Sequence, residues 1–128
     1  MQWKKVSPEL SALLAEAVQP FPAQKRTMFG CPAYMVNDNM FAGVHQDSVF
    51  IRLSEADRDD YMMTQKGAVP FEPMPGRKMR EYVVLTQDIL GDRGRLEHWL
   101  GRAYGFALSL PLKERRASRR KKRTLDLT

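Results

Sequence analysis

The stretch from Thr27 to Ser54, TMFGCPAYMVNDNMFAGVHQDSVFIRLS, constrains the fold more than any other part of the chain. Its apolar and β-prone residues fall into three short runs. Only Asn37-Asp38-Asn39 and Gln46-Asp47-Ser48 separate them, and these residue types tolerate tight turns. The pattern predicts strands over 27–36, 40–45 and 49–53, an antiparallel meander. Strict alternation assigns each run two faces. Met28, Gly30, Pro32, Tyr34 and Val36 share one face of the first strand, and Phe29, Cys31, Ala33 and Met35 the other. Phe41 and His45 oppose Met40, Ala42 and Val44, while Phe50 and Arg52 oppose Val49, Ile51 and Leu53. Both faces are apolar at the centre, so both need covering.

The flanking segments supply helices. Ser7-Pro8-Glu9 is a helix start, with the apolar series Leu10, Leu13, Leu14 and Val18 behind it and Pro20 and Pro22 as stops, which predicts a helix over 8–18. Ser54, with Asp57 three residues on, caps a second helix that Gly67 ends. Two shorter strands follow, around 68–73 and 79–85, on either side of a Met74-Pro75-Gly76-Arg77 turn. Thr86-Gln87-Asp88 opens a helical turn, and Asp92 starts a longer helix whose buried stripe is Leu96, Trp99, Leu100, Ala103, Ala107 and Leu108. The order α-β-β-β-α-β-β-α predicts an α+β domain of two layers over residues 1–112: a five-stranded antiparallel sheet with helices on one face. The uncovered face, with Phe29, Met35, Phe41 and Phe50, is then a candidate protein interface, a homodimer being the simplest form. The competing reading has loops or chain ends folding over it.

Charge divides the chain. It carries 21 Lys/Arg and 15 Asp/Glu, net +6. Eight of the cations (Lys113, Arg115, Arg116, Arg119, Arg120, Lys121, Lys122 and Arg123) lie in residues 113–128 with only Glu114 and Asp126 against them, so this segment alone holds +6. Residues 1–112 balance at 13 basic and 13 acidic side chains, and the pI of 9.7 belongs to the tail. Residues 113–128 show neither apolar periodicity, which predicts a disordered basic tail. Such a run neutralises phosphates and releases counterions whatever the sequence, and predicts non-specific DNA or RNA attachment. No aromatic residue lies among the cations to stack on bases or to seek lipid. A merely solubilising tail is the alternative.

Catalytic and metal constellations are absent from the sequence. The chain has one cysteine and two histidines. Cys31 sits mid-strand with no helix N-terminus behind it, so a small buried hydrophobe is expected rather than a nucleophile paired with His45 or His98. The spacing of these three residues has no metal-site signature, and His98 falls on the solvent side of the last helix. Glu55, Asp57, Asp59 and Asp60 fill the first turns of a helix, where negative charge complements the dipole. Gly101 and Gly105 predict close packing of the last helix on the sheet. Neither cofactor nor metal is expected, and the chain reads as not an enzyme. The alternative is a small ligand-binding domain or enzyme with a pocket near Tyr34, His45, Arg52 and Tyr82. No run of 18 uncharged apolar residues exists and no secretory signal opens the chain, so a cytoplasmic protein is expected, without membrane attachment.

Three segments, MFGCPAYMVNDNMFAGVHQDSVFIRLS, GAVPFEPMPGRKMREYVVL and LEHWLGRAYGFALSLP, in this order and spacing, resemble the amino-terminal domain of the TfoX/Sxy family, over roughly residues 22–112. Met28-Phe29-Gly30, Asn39-Met40-Phe41-Ala42 and Phe71-Glu72-Pro73-Met74-Pro75-Gly76-Arg77 carry most of the likeness. The resemblance implies a two-layer α+β domain and a role like that of bacterial competence regulators, which act with a cyclic-AMP receptor protein. Those regulators have a helical second domain. Here a basic tail stands in its place, so a stand-alone member is expected. The resemblance supplies no catalytic residues.

Overall fold

Ser7 accepts a hydrogen bond from the Leu10 amide and Pro8 occupies the first helical position, so the chain enters α1, Pro8–Ala17, where the sequence directs. The computed structural model describes residues 6–28, 31–74 and 76–111. After α1 come β1 (Gln24–Met28), β2 (Cys31–Val36), β3 (Asn39–His45), β4 (Ser48–Arg52), α2 (Glu55–Thr64), β5 (Val69–Met74), β6 (Arg77–Val84), the single turn α3 (Gln87–Leu90) and α4 (Arg93–Ser109). The strands form one antiparallel sheet in the order β1-β2-β3-β4-β6-β5. No helix among the described residues is long and apolar enough to cross a membrane.

The α+β class and the antiparallel sheet agree with expectation, but the sheet has six strands rather than five. The run read as one strand over 27–36 is two. Met28 pairs with Cys31, so the chain reverses between them, and Gln24, Lys25 and Arg26 become an edge strand. These polar residues give no strand signal because an edge strand with exposed side chains needs no apolar alternation.

The caps follow the sequence. Ser54 accepts from the Asp57 amide, Thr86 from Ile89 and Asp92 from Arg95. Asn37 and Asp38 take φ of 52° and 60°, the left-handed pair that a two-residue hairpin turn requires. Asn39, almost fully buried, donates to the Asn37 and Pro111 carbonyls, and Asn37 donates to Leu108 O. The end of α4 is thereby tied to the β2–β3 turn.

The main core lies between sheet and helices. Leu14 and Ala17 of α1 and Leu96, Trp99, Leu100, Ala103 and Ala107 of α4 pack on Ala42, Val44, Val49, Ile51 and Val83. Leu108, expected in this stripe, is 48% exposed. Tyr61 of α2 is fully buried, edge-on to Trp99, and its hydroxyl donates to Val84 O at 2.7 Å and accepts from the Thr86 amide at 3.1 Å. Burial pushes its pKa up to about 12, against the lowering effect of the Thr86 bonds.

Phe41 breaks the expected alternation. In the β2–β3 register Tyr34 stands opposite Ala42 but Met35 opposite Met40, so Phe41 is the extra residue of a bulge. Phe41 and Ala42 therefore both join the helix-side core, Phe41 edge-on to Tyr104 of α4 at 5.4 Å. The predicted interface loses that member: Phe41 is fully buried against the helices.

Candidate functional site

The outer face of the sheet, turned away from the helices, holds a second and smaller core of Phe50, Phe71 and Tyr82, with Met40, Met79 and Val84 beside it. The pairing of β5 with β6 slips on both sides of Phe71, with the extra residues on β6 between Val83 and Met79 and on β5 between Phe71 and Met74. Across this irregular stretch the Phe71 ring reaches over β6 and stacks on Phe50 of β4, with centroids 4.2 Å apart and planes 11° from parallel. His45 meets Phe71 edge-on at 5.5 Å, and Phe50 meets Tyr82 edge-on at 5.7 Å. Four rings thus run in series: His45, Phe71, Phe50, Tyr82. Gly43 stands opposite Phe50 in register, and a Cβ there would lie 2.5 Å from the Phe50 ring, so the stack needs glycine at that place.

Arg52 ends the series. Its Nε donates to Glu81 at 2.7 Å, and its guanidinium carbon lies 5.8 Å from the Tyr82 ring centre and 5.6 Å from that of Phe106. The Tyr82 hydroxyl donates to Met40 O at 3.1 Å. Burial is the main cause of a raised Tyr82 pKa, the Glu81 carboxylate adds to it, and the Arg52 cation opposes both.

The four residues of the expected pocket do not converge. Tyr34 belongs to the helix-side core, where burial raises its pKa. His45 and Tyr82 lie on the outer face with the Phe50–Phe71 stack filling the space between them. An open cleft of about 470 Å³ lies beside the stack, bordered by His45, Ser48, Val69, Phe71, Glu72 and Val84. Of the expected interface, Met35 and Phe50 are each 6% exposed in the single chain, so neither offers free apolar area. Phe29 and all eight tail cations, Lys113 to Arg123, lie outside the described residues.

The remaining candidates resolve into structural roles. Cys31 is half-exposed rather than buried. His98 is exposed as expected, edge-on to Trp99 at 5.3 Å. No group of three or more His, Cys, Asp or Glu able to hold a metal occurs among the described residues. Of the acidic set in α2, Asp57 and Asp60 bind Arg102 of α4 at 3.0 and 3.1 Å, with that guanidinium 5.1 Å from the Trp99 ring centre. Charge spacing within α2 could not reveal this partner, 42 to 45 residues away. Gly101 and Gly105 are not close-packing sites on the sheet. A Cβ at Gly101 would touch Phe21 at an ordinary 3.8 Å, and one at Gly105 would meet nothing within 4 Å.

A six-stranded antiparallel sheet with helices on one face and an aromatic series on the other defines a small α+β domain whose outer face is self-filled. The TfoX N-terminal domain family matches residues 13–107, three-quarters of the chain, and the protein belongs to it. No curated protein matches the chain.

Proposed function

We infer that the protein is a non-enzymatic regulatory or adaptor protein. Its folded domain contacts protein partners, and residues 113–128 add sequence-independent affinity for DNA or RNA. The observation that carries this reading is the split of charge: the segment 113–128 holds the whole net charge of +6 and residues 1–112 hold none. A neutral body gives phosphates little reason to prefer it, whereas eight clustered cations can neutralise several phosphates at once. Membership of the TfoX N-terminal domain family supports a regulatory role. The Phe50–Phe71 stack between His45 and Tyr82 weighs against the alternative of one pocket shared by those two residues.

Self-association through the outer face draws no support from Phe41, which packs under the helices, or from Met35 and Phe50, which are already covered. The nucleic-acid reading is tested by fluorescence anisotropy with a labelled random-sequence duplex, comparing the whole chain with residues 1–112. Truncation is expected to abolish binding. Equal affinity of the two forms would remove the tail from the mechanism.

A further inference from the structure

The sheet is open, and its two edges are built differently. At one edge, β5 carries Pro70 and Pro73, which have no N–H to give to an added strand, and its pairing with β6 is irregular on both sides of Phe71. At the other edge, β1 has no proline, and residues 24–27 are exposed throughout. The register fixes which of its backbone groups face outward. Thr27 stands opposite Pro32, which lacks an N–H, so this pair cannot exchange two hydrogen bonds. The doubly bonded pairs therefore fall at the alternate positions, Gln24 with Met35, Arg26 with Ala33 and Met28 with Cys31. Lys25 and Thr27 aim their N–H and C=O groups away from β2, at the open edge.

Charge then selects the occupant. Arg26 is held by Asp38 at 2.8 Å, whereas Lys25 is exposed and has no carboxylate partner among the described residues. A second copy of β1 laid antiparallel on the first would set the Lys25 and Arg26 side chains of the two chains close together, an arrangement that like charges disfavour. We propose that the β1 edge accepts an extended, acidic segment of a protein partner as a seventh strand. Main-chain bonds to Lys25 and Thr27 provide the attachment, and a carboxylate against Lys25 provides the selection. The proposal names the partner-binding surface for the adaptor reading above and rests on its protein-contact half alone. It does not depend on residues 113–128.

The test is amide hydrogen exchange read by NMR on the full chain, with a synthetic strand-forming peptide that alternates threonine and glutamate. Two control peptides carry lysine for glutamate, or proline at every second position. The glutamate peptide is expected to slow exchange at Lys25 and Thr27 by about tenfold or more, while Gln24 and Arg26, already bonded to β2, change little. Neither control should protect them. Lys25→Pro removes an outward donor without breaking a bond to β2 and should abolish the protection. Lys25→Glu keeps the backbone intact and should transfer the preference to the lysine peptide, so the test does not depend on the proline variant folding. Equal protection by the glutamate and lysine peptides, or by neither, would overturn the proposal. So would protection that rises with protein concentration when no peptide is present, which would make the occupant a second copy. Nucleic-acid binding is read in the separate anisotropy experiment, so either result can fail while the other stands.

Discussion

At Gly43 the ring of Phe50, directly opposite on β4, lies where a side chain would have to go, and its stacking on Phe71 restrains that ring from swinging away. Gly43→Ala is therefore expected to destabilise the fold by about 1–3 kcal/mol, the usual cost of forcing atoms into a packed site. Urea unfolding measures it. Combining Gly43→Ala with Phe50→Leu should cost less than the sum of the two single changes, because each relieves the other. Simple additivity would mean that the ring gives way freely. Tyr61 sets a second expectation. The unfolded chain releases a tyrosine proton near pH 10 and the folded chain holds that of Tyr61 to about pH 12. This contribution to stability is full below pH 10 and is lost as pH rises toward 12. Thermal melts should show a steady fall across that range, and Tyr61→Phe should make the fall shallower. It leaves a residual slope from Tyr34 and Tyr82, whose pKa values are also raised by burial. The same variant should be about 1–2 kcal/mol less stable at neutral pH, because Val84 O and the Thr86 amide lose their hydroxyl partner. An identical alkaline slope in both proteins would contradict the assignment.

At the scale of elements, α2 and α4 are joined by Arg102, which binds Asp57 and Asp60 and lies over Trp99. The guanidinium is about one-third exposed, so solvent screens the pair. Arg102→Ala should cost about 1 kcal/mol in thermal stability, with a smaller cost at high salt. Arg102→Lys should recover only part, since an ammonium cannot spread over two carboxylates and a ring face in the same way. Full recovery would show that charge alone mattered. Helix starts are readable in the sequence because a cap is a local device: Ser7, Ser54, Thr86 and Asp92 each bond an amide within three residues. The strand faces are readable only where alternation runs unbroken. Phe41 changes face because of a bulge whose cause is pairing with β2, and nothing in residues 39–45 alone announces it. β1 escapes a reading of the sequence for the related reason that pairing, rather than its own polar side chains, makes it a strand.

For the whole molecule, the apolar outer face predicted from two-sided strands is real, but the chain covers the centre of it with its own Phe71. The aromatic series is legible as residues and not as a site, because Phe71 reaches Phe50 across irregular pairing between β5 and β6. What the sequence does show without any structure is the separation of charge, and the functional account stands on it. A protein that holds nucleic acid through the cations of residues 113–128 must lose affinity steeply with salt. If about five phosphates of a duplex are engaged, the logarithm of the association constant should fall against the logarithm of salt concentration with a slope of roughly −4.5. The most direct measurement is that slope, determined by anisotropy on the whole chain with duplexes of two unrelated sequences. The same steep line is expected for both. A slope near zero, or a strong preference for one duplex, would contradict it.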